Sequence, residues 1–379
     1  MLQDYCPVTV IGAGPAGLSI AYELQTHGVN SIVFEASGNV GNTFVQMTER
    51  TEYGPWINNV LRGTTWEPWG AWYRLLARTT RREYAAYLKD YAARHSLNIR
   101  LECPVTKVEW TDGRFRLETA QGRIESGALV NCAGYFSRPN VPSYPGADET
   151  NIPQMHSSAY RSPATVGARI GKDRGRVLVV GKKLSAGETI SELFDAGFEV
   201  AVSHRTPIDY WPEIWRESVR SPLLWLDELI RRRLDLGRPE HLKPKMRKTE
   251  HSKAIDEGEA PTYPEIERFD KDVVVFKDGS TERFDLVVYA TGYQCNLDHL
   301  QALRLPSIQE GNPAVRRLES LELPNLFFLG LIGGRSFRSE FLRGIREDAQ
   351  LLGEILAERV RFSPVPATRE RVLARAERD

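Results

Sequence analysis

Apolar and polar positions fall into short repeating blocks along this chain of 379 residues. Val8-Thr9-Val10-Ile11 is a β-branched apolar run, the pattern of a buried strand. Gly12-Ala13-Gly14-Pro15-Ala16-Gly17 interrupts it, and Leu18-Ser19-Ile20-Ala21-Tyr22-Glu23-Leu24 resumes with helical periodicity. Gly28 marks the helix stop, and Ser31-Ile32-Val33-Phe34-Glu35 predicts a second strand. The same order returns later. Arg176-Val177-Leu178-Val179-Val180 runs into a turn at Gly181, a helix reaches about Phe194, and Glu199-Val200-Ala201-Val202-Ser203 follows as a strand. Two further strands end in small-residue turns, Gly127 to Tyr135 and Leu286 to Tyr293. Asn325 to Leu331 predicts one more strand, with a helix after it from roughly Phe341 to Arg359.

The first turn has a chemical purpose. It lies between a strand and a helix, and Glu35 closes the second strand eighteen positions past Gly17. Gly12 permits a tight turn, Gly14 lets a pyrophosphate approach the backbone, and Gly17 lets the helix pack close to the sheet. Pro15 and Ala16 open the helix, whose free N–H groups suit phosphate. Glu35 can accept hydrogen bonds from both ribose hydroxyls and repels a 2′-phosphate. FAD or NAD fits such a site; NADP does not.

The second turn reads Gly181-Lys182-Lys183-Leu184-Ser185-Ala186-Gly187. His204 and Arg205 follow its second strand where an acid would otherwise stand, and Arg205 suits a 2′-phosphate, which favours NADPH. Lys183 occupies the position of the phosphate-facing glycine. Its Cβ should crowd that approach while its ammonium attracts phosphate. NADPH bound in an altered way and a degenerate domain kept for architecture are both open readings, with Gly181, Lys183, Ser185 and Arg205 as the contacts. These blocks predict an α/β fold: two Rossmann-like dinucleotide-binding domains, the NADPH domain inserted into a discontinuous FAD domain. The expected division is 1–160 and 286–379 for FAD and 161–285 for NADPH, with a helical, amphipathic insertion over 212–248.

Composition narrows the classes. The chain carries 50 basic and 50 acidic side chains, which gives no sign of a nucleic-acid partner. No apolar run is long enough for a membrane span, and the N-terminus has no basic leader, so a cytoplasmic protein is expected. The four cysteines are scattered and form no CxxC, which argues against a disulfide centre or a metal cluster of the usual spacing.

The whole chain, over about residues 5–360, resembles the flavin-containing (class B) monooxygenases and their N-hydroxylating and Baeyer–Villiger neighbours. The two glycine turns carry the resemblance, together with Thr80-Arg81-Arg82-Glu83-Tyr84-Ala85-Ala86-Tyr87-Leu88 and the linker His156-Ser157-Ser158-Ala159-Tyr160. His156, Ser157 and Tyr160 match the family's linker signature; Thr150 and Ile152 replace its aromatic and glycine. Val40-Gly41-Asn42-Thr43-Phe44 stands where the family has a G-G-x-W element, so the resemblance gives Phe44 the aromatic role beside the flavin. It also implies that Val105 lies near the adenine. Gly134, Thr291 and Gly292 would lie at crossings between the nucleotide domains, and Gly330 would begin the return to the flavin through the loop Gly333-Gly334-Arg335-Ser336.

The chemistry implied is reduction of FAD by NADPH, addition of O₂ to form a flavin hydroperoxide, and transfer of one oxygen atom to a small organic substrate. The chain's length, short for a Baeyer–Villiger enzyme, favours N- or S-oxygenation or a specialised biosynthetic oxidation. Asn58 and Asn59, after Tyr53-Gly54-Pro55-Trp56, lie where relatives supply an amide to the reacting oxygen; spacing does not separate them. Trp56, Trp66, Trp69 and Trp72 are half of the eight tryptophans and suit either an aromatic substrate wall or the packing of an irregular loop. The 212–248 insertion suits a lid or the interface of a homodimer. A flavin oxidase or reductase without oxygen insertion, and a flavin-bound scaffold, are the competing readings.

Overall fold

The computed structural model describes residues 5–48, 51–64, 75, 77–211, 226–227, 229–231, 233–234, 236, 245–248, 251–331 and 334–362. Most of the 212–248 insertion and Trp66, Trp69 and Trp72 lie outside them. The chain forms two compact units. One comprises Met1–Val45, Glu52–Ser137 and Cys295–Asp379; the other comprises Gln46–Thr51 and Arg138–Gln294.

The first unit is built on a nine-stranded sheet. Its parallel centre runs Ile99–Arg100, Ser31–Phe34, Tyr5–Ile11, Gly122–Asn131, Leu326–Phe328 in spatial order. The first strand is buried on both faces: Val8, Thr9 and Val10 are all fully buried, and the face carrying Ile11 packs against the hairpin side chains Val108, Phe115 and Leu117 and against Leu300. Each such Val contributes about 1.5–3 kcal/mol of burial. A hairpin, Val105–Thr111 with Arg114–Thr119, pairs antiparallel with Gly122–Asn131. Helix Pro15–Thr26 packs against the C-terminal helix Leu342–Phe362.

The second unit holds a five-stranded parallel sheet: Gln154–His156, Leu286–Tyr289, Arg176–Val180, Glu199–Ser203, Thr262–Tyr263. A three-stranded antiparallel sheet, Ile266–Asp270, Val273–Phe276 and Thr281–Glu282, adds a second layer of core around Phe276. Tyr210–Trp211 pairs with Met246–Arg247 at the two ends of the insertion.

The α/β class with two Rossmann-like sheets is therefore as the sequence predicts, but the expected domain limits need correction. Leu286–Tyr289 does not complete the first sheet. It pairs with Arg176–Val180 on one side and Gln154–His156 on the other, so both segments belong to the second unit. The strand that extends the first sheet is Leu326–Phe328. All three segments are similarly apolar, and pattern alone does not say which sheet takes each.

Candidate functional site

The strand order reverses at Tyr5–Ile11 in the first sheet and at Arg176–Val180 in the second, the kind of point at which open α/β sheets take ligands, outside the carboxyl ends of the strands. The glycine turns lie at those ends. Gly12 has φ +99°, and an ideal Cβ there would stand 2.6 Å from the Cys132 carbonyl oxygen. Its N–H donates to the Phe34 carbonyl at 2.7 Å, and the Cys132 N–H donates to the Ile11 carbonyl at 2.8 Å. A Cβ on Gly17 would fall 1.9 Å from the Gly12 carbonyl oxygen. These two glycines are therefore required by the protein's own packing. Gly14 differs. It caps the helix that begins at Pro15, and a Cβ on it would meet nothing within 4 Å. Open space before a helix N-terminus fits a dinucleotide's phosphates.

Glu35 stands at the end of the second strand. One carboxylate oxygen accepts from the Ala13 N–H at 2.8 Å, and the other accepts from the Ser37 N–H and hydroxyl at 2.9 and 2.7 Å. The acid thus ties the glycine turn to its own strand. The Cys103 N–H donates to the Glu35 carbonyl at 2.9 Å, which brings the start of strand Val105–Thr111 alongside. Gly41 is held to the same turn by its N–H on the Ala13 carbonyl at 2.9 Å. Phe44 is buried, edge-on to Tyr84 at 4.7 Å and Tyr53 at 5.2 Å, inside an aromatic cluster. Gly134 has φ +68° with open space at its Cβ position. Gly330 has φ +80°, and a Cβ there would contact Ala16 at 3.4 Å, so the C-terminal strand returns to the helix start.

The second unit repeats this frame bond for bond. The Gly181 N–H donates to the Ser203 carbonyl at 2.9 Å, and the Ala290 N–H donates to the Val180 carbonyl at 2.8 Å. A Cβ on Gly181 would stand 2.4 Å from the Ala290 carbonyl oxygen, as Gly12's would from that of Cys132. Lys183 caps the helix Leu184–Asp195, as Gly14 caps its own. Its φ of −111° is one that any residue adopts, and its side chain is exposed, so the backbone does not demand glycine there. Ser185 lies in the first turn of the same helix. His204 is the counterpart of Glu35. Arg205 follows it, with its side chain 67% exposed and 3.6 Å from Glu265. Lys182 donates to the Pro207 carbonyl at 2.7 Å.

Thr291 and Gly292 follow strand Leu286–Tyr289 as Ala133 and Gly134 follow Gly122–Asn131. Gly292 has φ +84° and open space at its Cβ position. His156 fastens this turn. Its Nδ1 accepts the Ser158 N–H at 3.0 Å, so Nε2 carries the proton and donates to the Gly292 carbonyl at 2.9 Å. Burial holds this imidazole below its ordinary pKa, and both ring nitrogens are occupied by backbone. The sequence-matched histidine is a brace for the turn. Asn140 adds a second brace that the sequence did not point to: its N–H donates to the Gly292 carbonyl at 2.9 Å.

The two candidate amides separate clearly. Asn59 is buried, and its Nδ2 donates to the Gly54 carbonyl at 2.6 Å and the Thr79 hydroxyl at 3.1 Å. It braces the turn before helix Trp56–Asn59. The Asn58 amide is partly exposed and makes no hydrogen bond among the described residues. Trp56 is fully buried core against Tyr84 and Tyr87. In the loop before the C-terminal helix, Gly333 lies outside the described residues. Arg335 ion-pairs with Asp348 at 2.5 Å, and the Ser339 hydroxyl accepts from the N–H groups of Arg335 and Ser336. This loop is therefore pinned to its own helix.

All four cysteines are buried and free. Among the described residues no group of His, Cys, Asp and Glu could hold a metal ion, and no helix is long and apolar enough to cross a membrane.

The model of the pyridine nucleotide-disulphide oxidoreductase family matches residues 9–330. The chain belongs to that family. It is an oxidoreductase with a flavoprotein's architecture, and this family membership implies a flavin and a pyridine nucleotide. The expected resemblance to the flavin-containing monooxygenases also holds among the relatives. An uncharacterized CzcO-like oxidoreductase of Geobacillus kaustophilus (strain HTA426) is 26% identical over 377 residues, 94% of this chain and 99% of the relative. Flavin-containing monooxygenase FMO GS-OX4 of Arabidopsis thaliana is 25% identical over 358 residues, 86% of this chain and 68% of the relative. The solved flavin-containing monooxygenase from Stenotrophomonas maltophilia shares the fold with a TM-score of 0.76 at 20% identity, over 94% of this chain and 100% of that one.

Proposed function

We propose that this family member is an FAD-dependent, NADPH-using monooxygenase that transfers one oxygen atom from O₂ to a small organic substrate, as an N- or S-oxygenation or a specialised biosynthetic oxidation. The observation that carries the reading is the duplicated glycine frame, two dinucleotide cradles in one chain with an acid ending one and His204-Arg205 ending the other. The name of the Arabidopsis relative supports the oxygen-transfer part.

When bound, FAD supplies two-electron transfer from the nicotinamide and activation of O₂. The chain's own residues bind and orient. Gly12 and Gly17 hold the first turn closed while Gly14, Pro15 and Ala16 present the open helix N-terminus to the pyrophosphate. Glu35 accepts from the ribose, Val105 flanks the adenine, and Gly134, Gly330 and Phe44 shape the flavin side. Gly181, Lys183, Ser185 and Arg205 take NADPH, with Thr291 and Gly292 forming the turn beside them. Lys183 acts there as a cation for the phosphates. Asn58 offers the amide to the reacting oxygen, and Asn59 keeps that segment in shape.

The test is turnover of the FAD-loaded chain with NADPH under ¹⁸O₂ against a panel of small amines and thioethers. One labelled oxygen per product molecule is the expected result. Turnover with no label in the product overturns oxygen transfer and leaves an oxidase or reductase. A flavin that neither NADPH nor NADH bleaches leaves a scaffold.

A further inference from the structure

Residues 57–64 run from the single helical turn Trp56–Asn59 into irregular chain, yet most of their backbone carbonyls are bonded to side chains from elsewhere in the unit. Tyr84 donates to the Asn59 carbonyl at 2.9 Å, and Tyr91 to the Arg62 carbonyl at 2.7 Å. His95 Nε2 lies 3.1 Å from the Gly63 carbonyl. The Tyr87 oxygen accepts the Leu61 N–H at 2.6 Å and lies 2.6 Å from the Thr64 hydroxyl. Thr64 donates its one proton to the Leu61 carbonyl, so the Tyr87 phenol is the donor to Thr64. Arg346, in the first turns of the C-terminal helix, donates to the Val60 and Ile57 carbonyls at 3.3 and 3.5 Å.

Tyr84, Tyr87, Tyr91 and His95 recur at spacings of three, four and four, so they form one stripe along helix Arg81–Arg94 and the residue that caps its end. Burial pushes the phenols of Tyr84 and Tyr91 up, and that of Tyr87 to about 12, so all three keep the protons they donate. From the other side Tyr22 lies against Gly63, where a Cβ would fall 2.3 Å from its ring, and Glu23 pairs with Arg62 at 3.2 Å. Arg346 joins the loop to the nucleotide site, since its neighbour Ile345 lies by Gly330, which in turn lies by Ala16. Asn58 carries the amide that this network leaves over.

We propose that Tyr84, Tyr87, Tyr91, His95 and Arg346 are positioning residues: they lock the backbone of residues 57–64 and thereby aim the Asn58 amide at the flavin site. The inference rests on the monooxygenase reading for the role of Asn58, but the lock itself does not.

The experiment uses the full-length, FAD-loaded chain with Tyr84→Phe, Tyr91→Phe and the double variant. Each substitution keeps the ring and deletes one O–H. Asn58→Ala is the reference. Three readouts are taken: hydrogen exchange of the amides of residues 57–64, the visible circular dichroism of the bound flavin, and hydrogen peroxide released per NADPH oxidised. Each single variant should raise exchange in the loop about fivefold, as expected for one lost hydrogen bond. Each should also shift the flavin band in the same direction as Asn58→Ala and raise the peroxide fraction severalfold, with FAD content and the KM for NADPH unchanged. Exchange equal to wild type overturns the lock. Faster exchange with an unmoved flavin band overturns the positioning of Asn58. Failure of oxygen transfer itself shows separately, in the wild type, and the exchange and flavin-band readouts need no turnover.

Discussion

Gly12, Gly14 and Gly17 look alike in the sequence and do different work. Gly12 and Gly17 are crowded by backbone carbonyls at 2.6 and 1.9 Å, whereas Gly14 faces open space with φ −81°. The three should therefore respond differently to alanine. Gly17→Ala should cost about 3 kcal/mol or more, because the neighbour is rigid backbone. Gly14→Ala should leave the melting temperature of the flavin-free protein within about 1 °C of wild type while weakening FAD binding about tenfold or more. Equal losses of stability in the two variants would sink the distinction. The glycine spacing was legible because each position answers to a steric demand that recurs wherever a strand meets a dinucleotide. Asn58 and Asn59 were not separable, because their difference lies in the acceptors Gly54 and Thr79, one of them twenty positions away. The tyrosine stripe was readable from its spacing, but its partners in residues 59–64 were not.

At the level of elements, the segment Asp298–Leu303 carries a titrating support of the first sheet. His299 is buried with its Nε2 3.0 Å from the Asn131 side-chain oxygen, at the end of strand Gly122–Asn131. Burial pulls this imidazole from 6.5 down to about 4. The unfolded chain binds the proton first as pH falls, so the stability given by His299 is whole above pH 6.5 and is lost as pH drops toward 4. The loss amounts to about 3 kcal/mol at most. Denaturant melts between pH 7 and pH 4.5 should show a shallower decline for His299→Gln, which can still donate to Asn131 but does not titrate. Parallel declines in the two proteins would show that His299 does not supply this dependence. His156 is shifted the same way and should steepen the decline in both. The strands of these elements were plain from their apolar runs. Their sheet membership was not: Leu286–Tyr289 and Leu326–Phe328 are both short and apolar, and only long-range pairing distinguishes them.

For the molecule as a whole, the two units present two cradles with one backbone pattern and different chemistry at the strand ends. Nucleotides should then protect different amides. In the full-length protein, FAD should slow hydrogen exchange at residues 12–17 and NADP⁺ should slow it at 181–187. Arg205→Ala should narrow the preference for NADPH over NADH about tenfold, consistent with loss of one charge-assisted contact. A preference unchanged by that substitution would move the 2′-phosphate away from Arg205. The division of the chain into two Rossmann-like halves was visible in the repeated strand–turn–helix order. The limits were displaced because the segments near 138–160 and 286–294 pair with each other inside the second unit, across more than a hundred positions of sequence.

The matched bonds at Gly12 and Gly181 are all made by main-chain atoms. What distinguishes the two cradles is side-chain content at positions 14 and 183 and at 35 and 204. Replacing Lys183 or His204 therefore leaves the main-chain frame of its turn intact, whereas replacing Glu35 also removes the three hydrogen bonds that tie the first glycine turn to its strand. The nucleotide preference proposed for the second half is thus free to change without touching the fold, while that of the first half is built into the turn itself.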